Sequence, residues 1–170
     1  TEFLACFPAQ PLIEACAVAG IKPILCRQER MGMAIADGFS RTTNGKRLGV
    51  FAMQQGPGTE NAFPGAAQAF SDNVPLLLLP GGEPVERSFI PPGFSAVTNY
   101  EHVTKWQAQI GSVNRVPELM RRAFYQLRTA APGPVLLEVA RNVWTEELEG
   151  ALDYTPVAGN RSGPDQQDVI

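Results

Sequence analysis

The chain has 170 residues, 44% of them hydrophobic and 18% charged, with a net charge of −3 and an isoelectric point near 5.2. At about 150 residues per domain this is one domain with a short remainder, large enough to build a core without disulfides or a structural metal. The acidic balance excludes the basic footprint of a nucleic-acid binder, and no apolar run nears the roughly 20 residues of a membrane span; Thr1-Glu2-Phe3-Leu4 lacks the basic start of a signal peptide.

In chain order, Phe3-Leu-Ala-Cys-Phe7 reads as a strand. Pro11 suits a first helical position, and Leu12, Ile13, Cys16 and Ala17 follow helical spacing up to a stop at Gly20. Ile24-Leu-Cys26 reads as a short buried strand, and a second helix is expected from about Gln28 to Thr42, ending at Asn44-Gly45. Arg47 to Met53 is strand-like and leads into the turn Gln55-Gly-Pro-Gly58; Thr59 is expected to cap a helix through Phe70, closed by Asp72 and Asn73. Leu76 to Leu79 is an all-apolar strand, suited to a sheet covered on both faces. Pro80 to Asn99 reads as loop, Val116 to Arg128 as an amphipathic helix, and Val135 to Val139 as a last strand after the turn Ala131-Pro-Gly-Pro134. The alternation predicts an α/β fold, a three-layer sandwich with a central, mostly parallel sheet of about six strands flanked by helices. The tail from Pro156 to Asp168 has linker composition. The expected organisation is a domain over 1–150 lacking its first helix, with 151–170 as a linker toward a further domain.

Cys6, Cys16 and Cys26 fit neither a zinc pattern nor a disulfide framework; each sits among apolar residues and reads as a small core residue in a reducing, cytoplasmic setting. Glu29 follows a buried strand and opens a helix of small and apolar residues, where ligands bind at the carboxyl ends of parallel strands. The alternative is that it complements the helix dipole, worth about 0.3–1 kcal/mol. Gln55-Gly-Pro-Gly58 either lets backbone approach a ligand or is a tight strand-to-helix turn; it is neither a dinucleotide fingerprint nor a P-loop. His102, the single histidine, has no partner for a metal or a triad and reads as a loop residue, and Val103-Thr-Lys-Trp106 reads as an anchored segment with Trp106 packing.

Taken together, four stretches resemble the pyrimidine-binding, N-terminal domain of thiamine-diphosphate-dependent enzymes of the acetolactate synthase and pyruvate oxidase type. They are Gln28-Glu29 with the small-residue helix through Asp37-Gly38-Phe39-Ser40-Arg41; Gly49-Val50 leading to Gly56-Pro57-Gly58, Asn61, Gly65, Ala69, Asp72 and Pro75; Gly81-Gly82 and Val103-Thr-Lys-Trp106; and Pro132-Gly133-Pro134 with the strand Val135–Val139. The resemblance runs through about residue 145. It implies that Glu29 is the catalytic carboxylate, which hydrogen-bonds N1′ of the cofactor aminopyrimidine, and that Pro57, Asn61 and Gln55 line the cofactor pocket with Phe7 and Pro8 in the loop after the first strand. It also implies a 2-oxo acid substrate for decarboxylation or carboligation, and thiamine diphosphate as cofactor. Mg²⁺ would be held by a diphosphate-binding domain of a partner subunit, and a homodimer or homotetramer would form through this domain. FAD stays open, and neither a nucleic acid nor a membrane is an expected partner. Two other readings accompany it: a non-catalytic homologue serving dimerisation or binding, and a separate pyrimidine-domain subunit of a two-chain decarboxylase. The sequence departs from the family at Ala5-Cys-Phe-Pro-Ala9, at Gln28 where a His often stands, at Gln54-Gln55, and at Phe94-Ser95.

Overall fold

The central strands are near-continuous apolar runs, and a computed structural model, which describes residues 2–158 and Gly163, sends their successive residues alternately into two buried sheet faces. Six strands, β1 (Phe3–Phe7), β2 (Lys22–Leu25), β3 (Gly49–Met53), β4 (Leu76–Gly82), β5 (Trp106–Ile110) and β6 (Val135–Ala140), form one sheet in the order β2-β1-β3-β4-β6-β5. Every pairing is parallel. Leu4, Cys6, Val50, Ala52, Leu77, Val135, Leu137 and Val139 face one layer, and Ala5, Phe51, Met53, Leu76, Leu78 and Leu136 the other. All residues of β3 and β6 are buried, as strands covered on both sides should be.

Helices α1 (Gln10–Val18) and α5 (Val116–Arg128) cover the first face through Leu12, Ile13, Cys16, Leu119, Ala123 and Leu127. Helices α2 (Glu29–Thr42) and α3 (Pro57–Ser71), with the short α4 (Ala96–Asn99), cover the second through Met33, Ala36, Ala62, Ala66, Ala69 and Ala96. The expected three-layer α/β sandwich is therefore what forms. The small residues of α2 let it lie close: a Cβ on Gly32 would stand 2.2 Å from the Phe51 ring. Left-handed Asn44 and Gly45 end α2, and left-handed Asn73 follows the end of α3.

The structure corrects four expectations. Helix α3 starts at Pro57 with Gly56 as its N-cap, so Thr59 lies inside the first turn, where its buried hydroxyl donates to the Gln54 carbonyl at 3.0 Å. The segment from Pro80 is not all loop. The β3 ladder stops at Pro80, but β4 continues beside β6 with Gly81 opposite Val139 and Gly82 opposite Ala140. A 3₁₀ turn at Val85–Arg87 and helix α4 then follow. The third correction is β5, an unexpected strand beginning at the last residue of the anchored segment. The second strand, finally, is not buried: it spans Lys22–Leu25 at the edge of the sheet with Leu25 exposed, and Cys26 lies just beyond it. The linker expected over 151–170 lies mostly outside the described residues, and 151–158 are irregular.

Several residues of the Asp37–Pro75 portion of the family pattern are structural. Arg41 Nε binds Asp37 at 2.7 Å and Arg41 reaches Asp72 at 2.8 Å, tying α2 to the end of α3. Ser40 Oγ donates to the Pro75 carbonyl at 2.6 Å and accepts from the Gly49 amide at 2.9 Å, joining α2 to the starts of β3 and β4. Lys105 Nζ donates to the Gln126 and Thr129 carbonyls and so caps α5, and Arg122 stacks on the half-buried Trp106 ring at 5.0 Å. All three cysteines are free; Cys6 and Cys26 are buried, and burial pushes their thiols up.

Candidate active site

The sheet order reverses between β1 and β3: from β1 the chain goes outward to β2, then crosses back to β3. In a parallel sheet such a switch point opens a crevice at the carboxyl ends of the strands. Glu29 enters from the β2 side at the first position of α2, and Gln55-Gly-Pro-Gly58 from the β3 side.

Glu29 is only 5% exposed, although its chain neighbours Gln28 and Arg30 lie in solvent. Its Oε2 accepts a hydrogen bond from Asn61 Nδ2 at 3.2 Å, one turn into α3. The second oxygen, Oε1, faces Gly58, where an added Cβ would stand 2.9 Å from it and 3.0 Å from Gln54 Cβ. Gly56 has φ +65°, a left-handed turn open to glycine, and it aims the start of α3 at the glutamate. The carboxylate is thus bound to another helix, which the helix-dipole account of Glu29 does not require. Pro57 and Asn61 are themselves exposed, so the buried carboxylate lies under an open surface.

Beside this pair a cleft of about 400 Å³ is lined by Gln54, Gln55, Pro57, Glu83, Arg87 and Phe94, with Arg141 at its rim. Gln55 Nε2 donates to Glu83 at 2.5 Å, and Arg141 donates to Gln55 Oε1 at 3.2 Å. Of the two glutamines that depart from the family pattern here, Gln55 is therefore bonded along the cleft wall and Gln54 lines it. The cleft's outer loop hangs on one buried acid: Glu138, 2% exposed in β6, accepts from the Val97 amide at 3.1 Å and from Gln109 at 3.2 Å. Gln109 donates in turn to Ser88 at 2.9 Å. Burial raises the Glu138 carboxyl above its ordinary range, against the lowering effect of these hydrogen bonds.

Of the residues singled out in the sequence, Glu29 and Asn61 are bonded, and Pro57 and Gln55 line the adjoining cleft. Phe7 and Pro8 close β1 at the same end of the sheet, with Phe7 opposite Met53, and no hydrogen bond links them to Glu29. His102 is exposed in a turn. Glu83, Arg87, Arg141 and Glu138 carry no local signal in the sequence. Parallel register brings two of them together: Gly82 and Ala140 are partners, so the next residues, Glu83 and Arg141, emerge side by side. Among the described residues, no cluster of three or more His, Cys, Asp or Glu is placed to hold a metal ion, and no helix is long and apolar enough to cross a membrane.

A doubly wound parallel sheet with a helix-borne glutamate facing a Gly-Pro-Gly turn defines a cofactor-binding α/β domain. Residues 3–108 match the family described as thiamine pyrophosphate enzyme, N-terminal TPP binding domain, and the chain belongs to that family. It is 32% identical over 136 residues to the acetolactate synthase large subunit of Lactococcus lactis, covering 76% of this chain and 22% of that protein. It is also 30% identical over 162 residues to the acetolactate synthase isozyme 3 large subunit of Escherichia coli, covering 86% of this chain and 27% of that one. The chain thus spans about a quarter of the length of these relatives. In fold it is similar to benzoylformate decarboxylase from Polynucleobacter necessarius, with a TM-score of 0.82 at 23% identity over 99% of this chain and 32% of that one.

Proposed function

We propose that this domain holds the aminopyrimidine of thiamine diphosphate in an enzyme that decarboxylates or condenses 2-oxo acids, with Glu29 as its catalytic carboxylate. The observation that carries the reading is the Glu29–Asn61–Gly58 arrangement: a buried carboxylate at the switch point of the sheet, bonded through one oxygen to Asn61 and packed through the other against Gly58. A carboxylate held in this way offers a fixed acceptor to a nitrogen at the edge of a heteroaromatic ring. Thiamine diphosphate supplies a carbon nucleophile and an electron sink for the carbon–carbon bond beside a ketone. Glu29 shares a proton with the ring nitrogen N1′ through its carboxylate, and Asn61 orients that carboxylate from α3. Pro57 and Gln55 contribute the wall toward the cleft, and Phe7 and Pro8 the side toward β1.

A partner subunit supplies the diphosphate and Mg²⁺ site, and a homodimer or homotetramer forms over the exposed face of α2 and α3. These helices expose Met31 at 50%, Phe63 at 37% and Phe70 at 41%. Three free cysteines suit a cytoplasmic location.

The test is calorimetric titration of thiamine diphosphate and Mg²⁺ into the full-length protein and its Glu29→Gln variant, with 2-oxo acid consumption followed in parallel. The expected result is a folded variant whose turnover falls about 10²–10⁴-fold, the scale of a lost proton-transfer group. Near-normal turnover would remove Glu29 from the mechanism, and no cofactor binding by either protein would overturn the reading.

A further inference from the structure

The cleft beside Pro57 carries more positive charge than its structural bonds use. Arg87 and Arg141 line it against a single acid, Glu83, and neither guanidinium is in an ion pair among the described residues. Glu83 is instead engaged by Gln55, whose carbonyl oxygen takes one hydrogen bond from Arg141. Both arginines ride on segments that are fixed to each other. The Val85 amide, opening the turn that ends at Arg87, donates to Asn142 Oδ1 at 3.1 Å, and Asn142 directly follows Arg141. The Ser88 hydroxyl after Arg87 is held by Gln109, and the far end of the loop by Glu138. The backbone segments that carry the two arginines are thus fixed relative to each other, and the Arg141 guanidinium is held by Gln55, while that of Arg87 is exposed at the cleft.

We infer that this cleft receives the ionised carboxylate of a small organic acid, with Arg87 and Arg141 as its binding residues. The volume, about 400 Å³, suits a small molecule. One of its wall residues, Gln54, packs against the same Gly58 turn as the Glu29 carboxylate, so the cleft adjoins the proposed cofactor site. The assignment of that acid as the substrate rests on the proposed function; the carboxylate site itself does not.

The experiment separates the two. Trifluoroacetate is titrated against the full-length protein without and with thiamine diphosphate, and ¹⁹F line broadening is read for wild type, Arg87→Gln, Arg141→Gln and the double variant, with trifluoroethanol as the neutral probe. The expected result is broadening by trifluoroacetate alone that weakens about tenfold or more in the double variant and is retained in Arg87→Lys. Equal broadening in wild type and double variant, or equal broadening by the alcohol, overturns the carboxylate site. In the cofactor-loaded protein, a raised KM for pyruvate or benzoylformate at unchanged kcat and cofactor affinity ties the site to substrate. Loss of probe binding without any change in KM leaves a carboxylate site distinct from the substrate's and overturns only its link to the reaction.

Discussion

Gly58 is the residue on which the candidate site turns, because it separates Glu29 Oε1 from Gln54 with no atom to spare. An alanine there would place a methyl group 2.9 Å from the carboxylate oxygen and push Glu29 away from its bond to Asn61. Helix propensity works the other way, favouring alanine by about 0.8–1 kcal/mol within α3. The Gly58→Ala variant is therefore expected to keep its thermal midpoint within a few degrees while its affinity for thiamine diphosphate drops about tenfold, the usual cost of overpacking a filled site. Calorimetry beside a melting curve checks both halves, and unaltered affinity would show that cofactor binding does not depend on where this turn holds Glu29. Glu29 illustrates what was readable at this scale. Its position after a strand is compatible with ligand binding or dipole compensation, the family resemblance implies the first, and the structure adds a bond from Asn61 on a second helix. Arg87 and Arg141 were unreadable, since only the β4–β6 register brings their segments together.

Among the elements, β6 does two jobs with one strand. Its odd positions, Val135, Leu137 and Val139, pack toward α5, while Glu138 on the opposite side anchors the cleft loop through Val97 and Gln109. Because burial lifts this carboxyl above its unfolded value, with Glu83 the nearby charge acting in the same direction, the native state binds the proton more tightly than the unfolded chain does. The associated stabilisation is complete below the ordinary carboxylate value of 4.5 and is lost as pH rises through the folded value. Each tenfold displacement of the ionisation constant is worth about 1.4 kcal/mol. Urea midpoints compared across pH 4–8 should show wild type losing stability relative to Glu138→Gln as pH rises; a difference that stays constant would mean Glu138 ionises as freely folded as unfolded. Legibility at this scale followed chemistry. The strands β1, β3, β6 and the first half of β4 are apolar or nearly apolar runs that announce themselves, whereas β2, Lys22-Pro-Ile-Leu25, is not. Trp106-Gln-Ala-Gln-Ile110 is likewise an edge strand whose glutamines face Thr104 and Glu138, so its pattern lacks the apolar density of those runs. The end of β4 was hidden by Pro80 and two glycines, residues that signal turns, and it is held by its β6 partners rather than by its own propensity.

For the whole molecule, the two helical layers differ in what they leave uncovered. On the α2–α3 side, Met31 and Phe63 are exposed two residues after Glu29 and Asn61, on other sides of the two helices. Single exposed apolar residues are ordinary, but several on one layer suit an interface. The proposed partner would seat here, over α2 and α3. Its arrival would bury the open side of the glutamate, and a proton shared in a water-free site responds more strongly to the groups around it. A Met31→Glu, Phe63→Glu pair tests this. Both side chains are already at least 37% exposed, so the fold should survive with a near-native circular dichroism spectrum, apart from the loss of the Phe63–Tyr100 ring contact at 5.2 Å. Two added carboxylates per subunit would be buried against their counterparts in the assembly, at a cost of several kcal/mol each unless paired. Sedimentation is accordingly expected to shift from an oligomer to a monomer, and cofactor-dependent turnover to disappear with it. A variant that remains assembled and active would place the partner against the other layer, over α1 and α5.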